Sequence, residues 1–482
     1  MKQKMRIRRS RRQEGAIRKF CTAVGLILLC IFLLAACGKK KDTGGHYEVV
    51  DGKIVEVGPQ DDVIHTGTAV HQGAPGEAAA DVGVELSDGQ AYLDDEAYNS
   101  LTSDDPNMTL LQARLTTACE ACREVYLSSD KGSAWNVTLS YQTIEEMLIA
   151  IGNAGYAAQD SRGEHNMRAY AVLDAFGRDA VTRTDDISGS YLTVYPDGHI
   201  SAFLLARERG RWHLYSTSAA WNDDGSFRIY SAGRYAVGSV QYTEKGWLIY
   251  TRDTSDFDEN QRANTDAYIM VRVLPLDGEA KVLCARYIEP VGYFENNLFI
   301  TNWTDPNFAP IDFNSLYAYI FGMYNGTEML SSYNVRRYYK AVGGTKLYLI
   351  PQDIFENNVG VYFRIDKTAL RNISDYSRSL GGYFFIGYDR DYFNVTPRTP
   401  KPEVVSYRYN GDGSITMVVD AVNAWYGTDR AFRHELTVMP GNGSGFRYVS
   451  NRLLEAKEGM LPAQKLSEML NVEVTKLADQ FK

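Results

Sequence analysis

Cysteine and histidine are scarce in this chain, which has 6 Cys and 7 His among 482 residues. Cys21 and Cys30 lie in an apolar N-terminal run, and an odd number of cysteines, three, follows Cys37. A chain of this length can bury a core of its own, so an odd set of three argues against a disulfide framework. The sequence therefore predicts a body that folds without disulfide bonds.

Recognisable catalytic and cofactor motifs are also missing. The sequence has no HExxH pair, Walker loop, Rossmann glycine pattern or calcium loop, each of which needs particular residues at fixed spacing. Ser128 and Lys131 have Ser-x-x-Lys spacing but end a predicted helix, where a nucleophile should begin one. His434 shares a predicted strand face with apolar residues and Glu435 lies on the other face, so the two cannot easily act together on one substrate, and a satisfied core or rim histidine is favoured. The sequence assigns no catalytic residue, no cofactor and no metal site.

The N-terminal segment has a net positive charge, whereas the rest of the chain is acidic. Residues 1–36 carry a net charge of +8, so the remainder carries −17 where the whole chain has −9. An acidic body cannot bind nucleic acid by neutralising phosphates. We expect no nucleic-acid partner.

Cys119 and Cys122 have the CxxC spacing of redox and zinc sites. A redox pair belongs at a helix N-terminus, where the helix dipole lowers the thiol pKa. Here apolar residues recur at three- and four-residue steps from Pro106 onward, which places both thiols on the buried stripe of a helix. We predict core thiols, with a redox or metal pair as the alternative.

The leader has the three zones of a secretory signal: a basic region up to Lys19, an apolar run from Phe20, and small residues before Cys37. The segment Leu34–Cys37, Leu-Ala-Ala-Cys, resembles the lipobox of bacterial lipoprotein precursors. The resemblance implies that residues 1–36 are cleaved as a signal peptide and that Cys37 carries lipid, which anchors the protein to the extracytoplasmic side of the cell membrane. An uncleaved signal anchor is the alternative, because the apolar segment is about as long as the shortest membrane spans, roughly 17 residues.

Residues 37–96 are rich in Gly, Ala, Asp and Pro and almost free of aromatic residues. Such a composition cannot build a core, so we predict a disordered tether. The tether contains Asp51-Gly52 between short apolar runs, a pattern that also fits a lone hairpin.

The body is predicted to be α+β, with short N-terminal helices followed by antiparallel, meander-rich β-sheets. We place an α+β domain at 97–252, a β-rich α+β domain at 253–455 and a helical tail at 456–482. Helices followed by a meander of strands indicate that helices pack on one face of the sheet.

Local signals mark several helices. Asp105 as N-cap and Pro106 at the first position predict a helix to about Ser128. Thr143 and Glu146 predict the capping box of a second helix. The remaining predictions are helical segments at Met167–Phe176, Ser315–Tyr324 and Gln352–Phe363, and strands at Tyr191–Tyr195, His199–Leu205, Trp212–Ser216, Phe227–Tyr230, Trp247–Arg252, Tyr268–Leu274, Lys281–Tyr287, Gly382–Tyr388, Glu403–Tyr409, Ser414–Ala421 and Phe432–Met439.

The sequence contains a weak internal repeat, which we call the internal echo. Asp197-Gly198 and Asp412-Gly413 each precede a predicted strand, and Arg211–Ser216 and Phe446–Ser450 follow with similar residues. The echo fits either two related helix-then-sheet modules or chance.

The C-terminal region also resembles an uncharacterised family of clostridial-type Firmicute lipoproteins, a domain of unknown function. The resemblance implies a Gram-positive surface and supplies no catalytic residues. It rests on the segments Pro402–Val405, Asp412–Ile415, Val419–Val422, Asp429–Glu435 and Phe446–Asn451.

Tyrosine is the one residue type in excess, with 33 in all and 18 between Tyr287 and Tyr448. Tyrosines fill the faces of strands, and they also stack on sugars and anchor interfaces. We expect a membrane-anchored extracytoplasmic lipoprotein without catalysis, which either binds a cell-wall glycan, peptide or protein or acts as an accessory protein of an envelope assembly. The alternative is an extracellular hydrolase of cell-wall or other polymer, whose acid pair is hidden among the many Asp and Glu.

Overall fold

The computed structural model describes the backbone of 46–50, 53–57 and 64–66, and then residues 105–133, 136–222, 224–253, 268–327, 329, 337–342, 345–388, 399–443 and 445–462. Within these ranges it contains seven α-helices and 21 β-strands, which confirms the α+β prediction. None of the described helices is both long and apolar enough to cross a membrane. Cys37 and the predicted helical tail after Pro462 lie outside the described residues.

The first module, residues 105–273, is built on a seven-stranded sheet. The sheet is antiparallel except for β6, which runs parallel to β7. Its strand order is β12-β11-β10-β9-β8-β7-β6. The strands are β6 Ala158–Asp160, β7 Ile187–Val194, β8 Ile200–Glu208, β9 Arg211–Trp221, β10 Phe227–Tyr242, β11 Trp247–Arg252 and β12 Tyr268–Arg272, preceded by a two-stranded ribbon of β4 Gly132–Ser133 and β5 Asn136–Val137.

Three helices cover both faces of this sheet. Helix α1, Pro106–Ser128, and helix α2, Tyr141–Asn153, share one hydrophobic cluster with the sheet, whereas α3, Tyr170–Thr182, belongs to a second cluster. The second cluster uses the other side chains of the same strands, such as Leu205 and Leu214. The prediction that helices pack on one face is therefore wrong, because the central strands are apolar on both faces.

The N-terminal caps of α1 and α2 test the helix starts that the sequence predicts. Asp105 caps α1, where its carboxylate accepts the backbone N–H groups of Asn107 at 2.9 Å and Met108 at 3.1 Å, as the sequence predicts. Helix α2 is capped instead by Ser140, whose hydroxyl accepts the Thr143 N–H at 3.0 Å. The predicted capping box at Thr143 and Glu146 is thus misplaced by one turn, because another N-cap residue lies three positions earlier.

The second module, residues 274–462, begins with a helix where a strand was predicted. Helix α4, Gly278–Tyr287, is capped by the Asp277 carboxylate, which accepts the Ala280 N–H at 2.9 Å. Its buried residues Ala280, Leu283, Cys284 and Tyr287 follow helical spacing. The prediction of a strand at Lys281–Tyr287 is wrong. The apolar residues of this short segment fit the period of a helix as well as that of a strand, so the pattern alone could not decide between them.

Two sheets and three further helices complete this module. The orders are β13-β21-β20-β19-β18-β3 and β14-β15-β17-β16. Strand β3 comes from the predicted tether, as do β1 and β2, which pair antiparallel to each other. The elements are β1 His46–Val50, β2 Lys53–Val57, β3 Ile64–Thr66, β13 Trp303–Thr304, α5 Phe313–Asn325, β14 Arg337–Val342, β15 Thr345–Pro351, α6 Gln352–Tyr362, α7 Lys367–Ile373, β16 Tyr376–Ser377, β17 Gly382–Tyr388, β18 Lys401–Tyr409, β19 Ile415–Asn423, β20 Thr428–Pro440 and β21 Phe446–Ala456.

Aromatic side chains form the core of the second module. The rings of Tyr317, Phe355 and Tyr383 make one stack, with centroids 4.3 Å and 3.9 Å apart. Tyr287, Tyr293 and Tyr448 are also fully buried. For these residues the tyrosine excess reflects core packing, the first of the two interpretations offered by the sequence.

The internal echo holds only in part. Asp197-Gly198 and Asp412-Gly413 both form tight turns at the start of a strand, and Gly198 and Gly413 have φ of 84° and 83°. Arg211–Ser216, however, lies on the next strand, β9, whereas Phe446–Ser450 lies two strands on, in β21. The second halves of the echo therefore occupy different places in their sheets.

Ion pairs join the two modules at a buried position. Lys245, in the turn before β11, donates to the carboxylate of Asp420 on β19, which also accepts Arg433 at 2.6 Å and 2.8 Å. Nearby, Arg272 on β12 pairs with Glu403 on β18 at 3.2 Å. The first module supplies a cation to each pair and the second supplies the buried anion.

Candidate functional site

The sequence names one site residue, Cys37, and it lies outside the described residues, so its lipidation stays a prediction. The described body offers three other sets of chemically capable side chains: the CxxC pair, the histidine of β20, and a polar cluster where the modules meet.

The CxxC thiols are core residues, as predicted. Cys119 is 1% exposed and Cys122 is fully buried, both on the inner stripe of α1, and both are free thiols. Desolvation raises the pKa of Cys122 to about 12 and raises that of Cys119 further. Since the thiolate is the nucleophile and the metal ligand, thiols with raised pKa values suit packing rather than redox chemistry.

Replacing Cys119 and Cys122 together by Ala is expected to lower the free energy of unfolding by about 1 to 3 kcal/mol, because the change leaves small cavities beneath α1. Chemical denaturation measures the loss. Thermal unfolding with and without zinc provides the control, and the wild type should melt at the same temperature in both. Stabilisation by zinc that disappears in the double variant would contradict the assignment.

His434 is also a satisfied core residue, as its predicted strand face implies. Its Nδ1 lies 2.7 Å from the Asn451 amide oxygen, and its Nε2 lies 3.0 Å from the Tyr293 hydroxyl. Desolvation lowers its pKa to about 4, although Asn451 opposes this shift. With both nitrogens bonded and the ring neutral, His434 links β20 to β21, and neither ring nitrogen is available to bind a ligand.

The polar cluster that we call the junction site consists of Tyr141, Asp160, His165, Lys281 and Glu289. The first three come from the first module, at the start of α2, the end of β6 and the loop after it. Lys281 lies on α4, and Glu289 directly follows that helix in the second module. Both modules are therefore needed to build the site.

Asp160 organises the loop that carries the histidine. Its carboxylate accepts the backbone N–H groups of Arg162, Glu164 and His165 at 2.7, 3.1 and 2.7 Å. Burial alone raises the pKa of Asp160, but these bonds and a fourth from the His165 ring lower it below its ordinary value. An ionised carboxylate with four donors fixes the loop and one edge of the imidazole.

His165 is the least satisfied of these groups. Its Nδ1 lies 3.1 Å from the Asp160 carboxylate, so this nitrogen carries the proton and donates it. The Nε2 is buried and has no hydrogen-bond partner among the residues that the structure describes. The side chain is only 2% exposed, so the ring is held in a fixed orientation below the surface.

Tyr141 covers this histidine. The two rings stack with centroids 3.9 Å apart and an angle of 28° between planes. Tyr141 is 52% exposed, and desolvation together with Glu145, Asp160 and Glu164 raises its pKa. The phenol stays protonated, and its ring forms a preset aromatic surface with one side on His165.

Paired charges surround the aromatic surface. Arg168 donates to Glu145 at 2.8 Å, and the Lys281 ammonium donates to the Glu164 carbonyl at 2.5 Å. Desolvation lowers the pKa of Lys281, although Asp160 opposes that shift, and desolvation raises the pKa of Glu289. The edge of the aromatic surface thus carries side chains of both charges, and most of them are paired with each other or with the backbone.

Close packing fixes this geometry. The Asn166 side chain makes two bonds to the Leu276 backbone, at 2.8 Å and 3.1 Å, and so ties the loop to the second module. On the other side, a Cβ built on Gly152 of α2 would meet the Cβ of Arg168 at 2.7 Å. The loop is therefore held between α2 and the segment before α4.

Sequence reasoning missed the junction site. Tyr141, His165 and Lys281 are far apart along the chain, and none belongs to a motif of known spacing. The described ranges contain no group of three or more His, Cys, Asp or Glu side chains able to hold a metal ion.

Comparison with known proteins places the chain in a family without assigning an activity. The profile of DUF6070, a family of unknown function, matches residues 109–466. The chain belongs to the DUF6070 family. The match runs from α1 to beyond β21, so the DUF6070 region includes both modules and the junction site between them. No curated protein and no solved structure is similar enough to count as a match.

Proposed function

We propose that this protein is a bacterial lipoprotein, anchored through lipid on Cys37 to the extracytoplasmic face of a Gram-positive cell membrane, whose body binds a cell-wall component. The leader with its Leu34–Cys37 segment supports the anchor. The acidic body supports a role away from nucleic acid and away from anionic headgroups, which repel it.

The junction site is the observation that carries the binding role. A half-exposed aromatic ring, Tyr141, lies over the buried ring of His165, and the paired side chains of Arg168 and Glu145 lie nearby. Binding sites combine an apolar surface with a few fixed polar groups, and here Asp160 and the stack fix both before a ligand arrives. Such preorganisation favours affinity because little ordering remains to be done on binding.

A hydrolase is the second candidate, and the pair formed by Asp160 and His165 favours it. An imidazole oriented by a carboxylate through Nδ1 is the arrangement of a general base, whose Nε2 must be unprotonated and must reach the substrate. The two functions differ in what happens to the polymer, because a binding protein leaves it intact and a hydrolase releases soluble fragments.

Sedimentation with purified cell walls tests the proposal. The full-length protein is expected to sediment with walls and to release no soluble sugar or peptide, and Tyr141→Ala should reduce the bound fraction several-fold by removing the aromatic surface. Bound protein is measured by blotting and released fragments by mass spectrometry.

Tyr230→Ala is the matched control. Tyr230 is 51% exposed, and its strand β10 lies four strands from β6 in the sheet, about 19 Å at ~4.8 Å per strand. Its removal should leave sedimentation unchanged. Fragment release that stops in His165→Gln would reject the binding role in favour of the hydrolase, and a lack of sedimentation would reject wall binding itself.

A further inference from the structure

We infer that Asn442 is a site of spontaneous deamidation, at which the backbone nitrogen of Gly443 displaces the side-chain amide and leaves an aspartate or an isoaspartate. Water is the only other reactant that this modification needs. The inference is independent of the proposed binding function.

Asparagine is followed by glycine at three places in the chain, Asn325-Gly326, Asn410-Gly411 and Asn442-Gly443. Such a pair is reactive because glycine has no side chain to shield its backbone nitrogen. The sequence alone gives the three pairs the same chemistry. Their hydrogen bonds in the fold differ, and the difference selects one pair.

Asn442 lies in the turn between β20 and β21. Gly441, Asn442 and Gly443 are all exposed, and the Gly441 N–H closes the turn by donating to the Gly445 carbonyl at 2.8 Å. Neither the side chain of Asn442 nor the N–H of Gly443 has a hydrogen-bond partner among the described residues. The carbon that is attacked and the nitrogen that attacks it are therefore both free to approach each other.

The side chain of Asn410 is held by three hydrogen bonds. Its Nδ2 donates to the hydroxyls of Ser414 at 2.8 Å and Thr416 at 2.9 Å. Its Oδ1 accepts the Nε of Arg408 at 3.1 Å. All of these bonds must break before the amide can turn toward the Gly411 nitrogen.

Asn325 is held at the end of helix α5. Its Nδ2 donates to the Phe321 carbonyl at 3.0 Å. The nitrogen that would attack is also engaged, because the Gly326 N–H donates to the Gly322 carbonyl at 2.8 Å. Reaction at Asn325 therefore requires the last turn of the helix to open.

The contacts of the Asn442 turn also favour the reactive form of Gly443. Its nitrogen attacks after losing a proton to water, and the negative charge is shared with the Asn442 carbonyl oxygen through amide resonance. That oxygen accepts the Gly445 N–H at 3.3 Å, and the Arg286 guanidinium donates to the Gly443 carbonyl at 2.8 Å. A donor and a cation close to a developing negative charge stabilise it.

The reaction balances with water alone. A bond forms between the Gly443 nitrogen and Cγ of Asn442, which closes a cyclic imide. The bond from Cγ to Nδ2 breaks, and Nδ2 takes a proton from water and leaves as ammonia. Water then opens the imide at either carbonyl, which gives aspartate or isoaspartate.

The products alter the turn that contacts α4. Aspartate adds a carboxylate one residue from the carbonyl that Arg286 holds. Isoaspartate adds a methylene group to the backbone that joins β20 to β21. The modification therefore changes both the charge and the length of this turn.

Peptide mapping of the full-length protein tests the inference, with the other two Asn-Gly pairs as internal controls. Folded protein in detergent is incubated in mildly alkaline buffer, and mass spectrometry follows the conversion of amide to carboxyl at each pair. Because misplacing a reacting group costs up to about 100-fold in rate, Asn442 is expected to react at least about ten-fold faster than Asn325 or Asn410. In protein unfolded by urea, the three rates should agree within a few-fold.

Two variants test the contacts that carry the argument. Thr416→Val removes one bond to Asn410 and should raise the rate at Asn410 several-fold, with the rate at Asn442 unchanged. Arg286→Gln removes the cation from the turn and should slow Asn442 several-fold, with the rate at Asn410 unchanged. Circular dichroism checks that both variants are folded, and the comparison of folded with unfolded wild type needs neither of them.

Several results would overturn the inference. Equal rates at the three pairs in the folded protein would show that the fold does not select Asn442. Faster reaction at Asn410 or Asn325 would place the modification elsewhere. An Asn442 that stays intact in the folded protein while it reacts in urea would show that the turn protects it.

Discussion

Asp420→Ala is expected to lower the free energy of unfolding by about 3 to 5 kcal/mol, the usual cost of removing one partner of a buried ion pair. Asp420 is fully buried and accepts two bonds from Arg433, at 2.6 Å and 2.8 Å, and one from Lys245. The Ala variant leaves both cations next to a cavity without their anion. Because Lys245 belongs to the other module, the loss weakens the contact between modules as well as the sheet.

Chemical denaturation measures this loss, and Glu455→Ala is the matched control. Glu455 is a carboxylate half exposed to solvent that pairs with Arg430 at 3.2 Å, and Arg430 also lies 3.7 Å from Asp420. Exposed pairs contribute about 0 to 1 kcal/mol, so the control should change stability little. A loss in Asp420→Ala no larger than that of the control would show that the network does not hold the modules together.

The pH dependence gives a second readout of the same network. Burial alone raises the pKa of Asp420, but hydrogen bonds from Arg433 and Lys245 lower it below its ordinary value. A group whose pKa is lower in the folded state stabilises the fold above its unfolded pKa, about 3.9, and loses that contribution as pH falls through the folded value. The stability difference between wild type and Asp420→Asn should therefore be constant near neutral pH and shrink below about pH 4. Glu403 acts in the opposite direction, because burial raises its pKa despite Arg272.

Local signals explain which parts of the fold were predictable. The Asp105-Pro106 start of α1 and the stripe that buries Cys119 need only neighbouring residues, and both predictions are confirmed. At α4 the short run containing Leu283 and Cys284 fits helix and strand periods alike, so sequence alone could not choose. The choice depends on packing, since α4 lies against β18, which is far along the chain.

The junction site was beyond sequence reasoning for a related reason. Its chemistry depends on Asp160 fixing the His165 ring, on Tyr141 stacking over it, and on a helix from another module bringing Lys281 close. Each residue alone has an ordinary interpretation as a loop acid, a core histidine or a surface lysine. Only tertiary contacts bring them together.

Cys37→Ala is expected to abolish lipid labelling of the protein. If the thiol of Cys37 is the acylated group, its removal leaves no site for the lipid, and cells grown with radiolabelled palmitate should yield no labelled band. The same change should block cleavage, because the cut before residue 37 depends on that cysteine, so the variant should accumulate as a longer precursor. Immunoprecipitation with autoradiography measures the label, and N-terminal mass spectrometry measures the cut.

Cys30→Ala is the matched control, because it removes a second thiol from the same leader. Its label, cleavage and membrane fractionation should equal those of the wild type, since the proposed cleavage removes residues 1–36 and Cys30 with them. If the leader is instead an uncleaved signal anchor, the wild type should have its N-terminus upstream of residue 37. The Cys37→Ala variant should then stay associated with the membrane and have the same length as the wild type. Palmitate incorporation that persists in Cys37→Ala would reject the lipoprotein assignment.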